Sequence, residues 1–259
     1  MTEFVTSADG TRIAYDREGD GPAVIFVGSA NQFRAFDTGT AEVARLLAGD
    51  GFTTITYDRR GRGESGDTLP YDVDREVEDI AALMGVVGGS AALYGSSSGA
   101  VLCLWAAAGV PGVTGLVLWE PPLDLDSDGS ENLAGLQERL AAGDREGTIA
   151  FFMRDMPPQW FEGARNSPAW PTLLSLAPTL AYDAAVLAKA ERGVFSEQWA
   201  AVTMPTIVLV GEETQPIFPP AAAAIVAALP QATPKRIDAR NHGWEPQVMA
   251  RELSGFLRM

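Results

Sequence analysis

The chain has 259 residues, 46% of them apolar, which suffices for one large α/β domain with a buried core and an insertion. Its formal charge of −15 argues against a nucleic-acid or anionic-membrane surface, and strongly anionic ligands would approach uphill. A single histidine, His242, and a single cysteine, Cys103, exclude an intrachain disulfide and a His/Cys metal cluster, and no carboxylates fall at calcium-loop spacing. No metal and no cofactor are expected.

The N-terminus, MTEFVTSADG, lacks a basic region followed by an apolar run, and no stretch reads as the roughly 20 apolar residues that span a bilayer. The expectation is a soluble cytoplasmic protein with no membrane partner. Phe4 to Thr6 and Arg12 to Glu18 read as a hairpin turned at Ala8-Asp9-Gly10. Ala23 to Val27 is a continuous apolar strand that ends in the small, polar loop Gly28 to Gln32. Val43, Leu46 and Leu47 recur at helical spacing, and Phe52 to Tyr57 is the next strand.

That strand runs into Asp58 to Gly66, which contains GRGESG, a literal match to the dinucleotide fingerprint. The fingerprint needs a helix opening at its third glycine, whereas Asp67 to Pro70 continues as a loop, so nucleotide binding is rejected. A helix with the stripe Val77, Ile80, Met84 and Val87 leads to the strand and turn of Ala91 to Ala108. Here Gly95-Ser96-Ser97-Ser98-Gly99 stands between a short apolar strand and an apolar helix, the G-x-S-x-G pattern with Ser97 at its centre. So sharp a reversal forces the central residue to positive φ and lifts its hydroxyl beside the helix N-terminus. The helix, apolar on every side, belongs in a core, and Cys103 reads as buried structure.

Val113 to Trp119 is another strand, closed by Glu120-Pro121-Pro122. From about Leu123 to Val202 only helix-like pieces appear: Glu131 to Ala142, Thr148 to Arg154, Pro171 to Leu176 and Tyr182 to Glu191. Thr206 to Val210 and Thr233 to Ile237 are the last strands, each followed by a helix, Ala221 to Leu229 and Val248 to Leu257. The alternation predicts an α/β fold, a parallel sheet with helices on both faces and ligands beyond the strands' carboxyl ends. A serine hydroxyl needs a base near neutral pH, and His242, in the loop after the last strand, is the one imidazole available.

These segments together resemble the α/β-hydrolase superfamily, across the opening strands, the D-x-R-G-x-G-x-S segment from Asp58 to Ser65, the turn at Ser97, the insertion and the late His242 loop. The resemblance implies a mostly parallel central sheet, a core domain of residues 1–122 and 203–259, and a helical cap of residues 123–202. It implies Ser97 as nucleophile and His242 as general base, with an oxyanion hole formed by the backbone N–H groups of Ser98 and Ser29. Two positions depart from the family pattern. Val27-Gly28 stands for the common His-Gly pair, and Gly211-Glu212-Glu213-Thr214 has threonine where many members carry the triad aspartate.

The missing aspartate leaves Glu120, Glu212 and Glu213 as candidate acids. Glu120 is preferred, because it directly follows a buried strand and is fixed by two prolines. The functional expectation is a serine hydrolase acting on a small apolar carboxylic ester, lactone or thioester, with a small molecule and no nucleic acid as partner. The alternatives are a slow or non-catalytic ligand receptor on the same scaffold, or other chemistry of the same residues, such as perhydrolysis, cyanohydrin cleavage or release from an acyl carrier.

Overall fold

The computed structural model describes residues 2–258. β1 (Glu3–Thr6) and β2 (Arg12–Glu18) form the opening antiparallel hairpin. There follow β3 (Ala23–Val27), α1 (Thr38–Gly49), β4 (Thr53–Tyr57), α2 (Val73–Val86), β5 (Ala91–Ser96), α3 (Ser98–Gly109) and β6 (Val113–Trp119). Next comes a helical stretch: α4 (Ser130–Ala141), α5 (Arg145–Phe152), α6 (Pro158–Arg165), α7 (Trp170–Leu176), α8 (Leu180–Glu191) and α9 (Phe195–Gln198). The chain then returns to the sheet through β7 (Thr206–Glu213), α10 (Phe218–Ala228), β8 (Ala232–Arg240), β9 (Gly243–Trp244) and α11 (Pro246–Leu257).

The strands form one sheet in the order β1-β2-β4-β3-β5-β6-β7-β8-β9, parallel from β4 to β8 and antiparallel at both edges. β3 pairs with β4 on one side and β5 on the other, so the winding reverses there. A crevice opens at such a reversal, beyond the carboxyl ends of the strands. The loop after Val27 and the turn after Ser96 both emerge at that edge, with Val27 paired to Gly95.

Successive side chains of the central strands point to opposite faces, and each face has its own core. Val24, Phe26, Tyr94, Val117 and Trp119 pack under α1 and α11, while Ile25, Val27, Leu93, Leu116 and Leu118 pack under α2, α3 and α10. Both faces being covered explains the continuous apolar runs in the sequence. In α3 every residue from Ala100 to Leu104 is fully buried, and burial pushes the Cys103 thiol pKa far up, as an inert core side chain requires.

α4 to α9 carry a third apolar cluster, built on Leu136, Ile149, Ala177, Leu180, Ala181 and Ala184. The inserted segment is nonetheless continuous with the main core. Val186 and Ala190 of α8, together with Trp199 and Val202, join the same cluster as α3. One sequence expectation is overturned here: Trp170–Glu191 is a continuous helical run of 22 residues, apolar and long enough to cross a bilayer. Most of it is buried inside the molecule, where its apolar faces pack on α3 and the neighbouring helices. The sequence reads as two short pieces here because Pro178 interrupts it, yet that proline sits in a single 3-10 turn, Ala177–Thr179, that joins the helices without a break.

Both late strands run farther than their apolar stretches. β7 continues to Glu213 and β8 to Arg240, with Glu213 paired to Arg240. This extension delivers Thr214 and His242 directly to the edge of the sheet that carries Ser97.

Candidate active site

Ser97 lies between β5 and α3 with φ 54° and ψ −123°, a conformation that an L side chain adopts only under constraint. The constraint is close backbone approach. A Cβ on Gly95 would stand 2.5 Å from the Ala100 Cα, and one on Gly99 would stand 2.3 Å from the Val27 carbonyl oxygen. The Ser97 N–H donates to Trp119 O at 2.8 Å, which fixes the turn to the end of β6.

His242 occupies a two-residue hairpin between β8 and β9, in which Ala239 pairs with Trp244 and Arg240 with Gly243. Asn241 and His242 have φ of 54° and 63°, the left-handed pair that a type I′ turn demands. The Asn241 N–H donates to Glu213 O at 3.0 Å and Trp119 Nε1 to His242 O at 3.4 Å. The imidazole lies flat against Phe218, with ring centroids 4.5 Å apart and planes 4° apart. Trp119 stacks at 6.3 Å.

Glu120 is fully buried at φ 41°, and its N–H donates to Leu209 O at 3.0 Å. Its Oε2 lies 2.5 Å from His242 Nδ1. Its Oε1 accepts the Gly211 N–H at 3.0 Å and the hydroxyl of Thr214. Of the other two carboxylates, both exposed, Glu213 faces the Arg240 guanidinium at 3.6 Å. Sequence reasoning saw Thr214 only as a missing aspartate. Its place at the end of β7 was the available signal that its hydroxyl reaches the same histidine partner.

Ser97 and His242 line one cavity of about 520 Å³ together with Ser29, Ala30, Asn31 and Ser98. Phe152, Met153, Met156, Trp160 and Leu187 of the helical stretch also line it, as do Ile217 and Phe218 at the start of α10. Among the described residues no lysine or arginine lines it, whereas Asp155 and Asp183 do. Ser97 Oγ and the imidazole are not hydrogen-bonded to each other in this state. The Ser98 N–H, at the N-terminus of α3, is of the kind that attracts developing negative charge. The Ser29 N–H differs from its expected role: it donates to Gln32 Oε1 at 2.6 Å, because Gln32 folds back over the loop and its own N–H bonds Ser29 O. In this conformation it is not free to hold an oxyanion.

A buried charge cluster that sequence reasoning missed adjoins the cavity through Asp183. Arg59, Arg62, Glu76 and Asp183 are all at most 1% exposed. Arg59 makes a two-pronged pair with Glu76 at 2.7 and 2.6 Å, and Tyr71 donates to the same carboxylate at 2.8 Å. Burial disfavours the Asp183 anion, but the charges of Arg62 and Arg59 and the Ser98 hydroxyl outweigh it and hold the carboxyl below the usual range. The signal was present as an aspartate within the apolar helix LAYDAAVLA, which implies a buried cation to meet it. The loop of Gly61 to Gly66 stays non-helical, and a Cβ on Gly63 would lie 2.3 Å from Asp58 Oδ2, so this glycine run seats a carboxylate and not a phosphate.

Residues 24–253 match the model of the alpha/beta hydrolase family. The chain belongs to that family. It is similar to an alpha/beta hydrolase from Sphaerobacter thermophilus at 36% identity, over 98% of this chain and 100% of that one, with a TM-score of 0.88. A thermophilic esterase from Thermogutta terrifontis, solved with malate bound, is 25% identical over 100% of this chain and 98% of that one, with a TM-score of 0.74. The enol-lactonase from Burkholderia xenovorans shares the fold at 16% identity, over 99% of this chain and 100% of that one, with a TM-score of 0.70.

Proposed function

We propose that this alpha/beta hydrolase cleaves a small, uncharged carboxylic ester or lactone through an acyl-enzyme on Ser97. The observation that carries the reading is the Glu120 carboxylate at 2.5 Å from Nδ1 of His242, which lines the same cavity as the strained Ser97. An anion at that nitrogen fixes the proton on Nδ1 and leaves Nε2 to accept one from Ser97. Ser97 Oγ attacks the acyl carbon, His242 takes its proton and passes it to the leaving oxygen, and water, activated in the same way, releases the acid. The Ser98 N–H receives the oxyanion, an interaction worth about 3 kcal/mol per donor in sites of this kind. The second donor lies on the loop from Ser29 to Asn31, and Ser29 itself serves only once its N–H leaves Gln32.

The cavity supports the substrate class. Its apolar lining suits an acyl or alkyl group, and with no lysine or arginine among the lining residues it offers nothing to bind phosphorylated or carboxylated compounds. The esterase and enol-lactonase names among the related structures fall in the same class. The receptor alternative rested on the absent aspartate, and with a carboxylate against His242 nothing in the site favours it. Residues 123–202 are assigned as the cap over this cavity, closing the core of residues 1–122 and 203–259. Incubation with a fluorophosphonate followed by peptide mapping should modify Ser97 alone, in parallel with loss of p-nitrophenyl ester turnover. Turnover that survives in Ser97→Ala would sink the proposal.

A further inference from the structure

We propose that Asp183, carried on α8 of the inserted segment, is a positioning residue for the oxyanion hole, tying the turn that follows Ser97 to the loop of Gly28 and Ser29. This rests on the ester-hydrolase reading above.

One carboxylate makes three short bonds, each to the core. Asp183 Oδ1 accepts the Ser98 hydroxyl at 2.7 Å and Arg59 Nη1 at 2.6 Å, and Oδ2 accepts Arg62 Nη2 at 2.6 Å. The two guanidinium groups then reach the opposite wall of the site. Arg59 Nη1 also donates to Gly28 O at 3.2 Å, and Arg62 Nη1 donates to Ser29 O at 2.5 Å. The peptide groups whose N–H bonds could meet an oxyanion are therefore held from both sides through the same anion. Carbonyl and N–H of a trans peptide point in opposite directions, so fixing the Gly28 and Ser29 carbonyls fixes the directions of the Ser29 and Ala30 N–H bonds.

Anchoring the insertion would not need this arrangement. Two arginines already satisfy the Asp183 charge, and Asp183 is the one carboxylate that pairs with Arg62 among the described residues. The hydroxyl of Ser98 adds a third bond that reaches the residue next to the nucleophile. It makes the geometry of the hole depend on how α8 is seated.

Ser98→Ala removes that bond and leaves both ion pairs, so the fold should hold. The readout is the split between kcat and KM on a p-nitrophenyl ester, together with affinity for a trifluoromethyl ketone, which forms an oxyanion on Ser97, and for the matching methyl ketone, which fills the cavity far less reactively. The expected result is a fall of about tenfold in kcat and in trifluoromethyl ketone affinity, with KM, methyl ketone affinity and the thermal midpoint nearly unchanged. Asp183→Asn leaves Arg62 short of its partner, so it should lower the midpoint as well and reduce kcat per folded molecule further. An active wild type whose Ser98→Ala variant keeps kcat and ketone affinity within twofold overturns the inference alone, as does an Asp183→Asn variant that loses only stability. A wild type that neither turns over esters nor reacts with fluorophosphonate overturns the functional reading on which it rests.

Discussion

Thr214 donates its hydroxyl to Glu120 from the position where the related sequence pattern places an aspartate. On the function proposed above the acid stands at the end of β6, and the residue at the end of β7 is a hydrogen-bond donor to it. With the Gly211 N–H on the same oxygen, Oε1 is held by two donors while Oε2 faces His242. Thr214→Val keeps the shape and removes the donor. A hydrogen bond to a charged group contributes about 1.5 kcal/mol or more, so kcat/KM on a p-nitrophenyl ester should fall at least about tenfold. Thr214→Ser should stay within a few fold of wild type. Turnover that survives in Thr214→Val but falls in Thr214→Ser would show that the methyl group, and not the hydroxyl, matters.

Glu120→Gln places an amide against His242 Nδ1, which no longer stabilises the imidazolium and offers a competing N–H donor. The loss in kcat should be on the order of 10⁴-fold with the fold intact. Glu212→Gln and Glu213→Gln should be close to neutral, since both side chains are exposed and the Glu213 partner is the exposed Arg240. Turnover that survives in Glu120→Gln but collapses in Glu213→Gln would reassign the acid.

Much of this arrangement was legible because local chemistry and global fold agree in the sheet. The continuous apolar runs at Ala23, Ala91 and Val113 specify buried parallel strands, and Gly95 and Gly99 specify a turn tight enough to strain Ser97. What was not legible depends on pairing across long separations. Asp183 meets Ser98 from 85 residues away and Arg59 from 124. The type I′ hairpin of His242 was hidden because Asn-His is not the usual dipeptide for two positive φ angles. The capture of the Ser29 N–H by Gln32 follows from a side-chain fold-back that no spacing rule encodes.

Gly99→Ala tests the packing origin of the strain. Its Cβ would stand 2.3 Å from Val27 O and 2.7 Å from Gly28 O, both backbone atoms that cannot swing aside. α3 would have to retreat from the sheet at the position that holds the Ser97 turn. A loss of about 3 kcal/mol in urea unfolding is expected, with turnover falling further than the unfolded fraction explains. At Gly85, where a Cβ meets nothing within 4 Å, alanine should be tolerated or stabilising. Similar stability of the Gly99→Ala and wild-type proteins would mean that the close approach is not what fixes the turn.

Glu191 ends α8 with its Oε1 accepting the Asp124 N–H at 2.8 Å, and burial raises its pKa to about 7. The Asp124 N–H opposes that rise, while the charges of Asp124 and Asp128 reinforce it. In the unfolded chain the same carboxyl titrates near the ordinary glutamate value of about 4.3. Between these values the native state binds the extra proton, so this contribution to stability is complete at low pH and is lost as pH rises through about 7. Glu191→Gln keeps an oxygen for the Asp124 N–H and carries no charge at any pH. Its thermal midpoint should therefore match wild type near pH 4.5 and exceed it at pH 8, with the gap opening as pH approaches 7. Thermal unfolding of the two proteins across that range checks this directly. A gap independent of pH would show that Glu191 ionises as freely in the native state as in the unfolded chain.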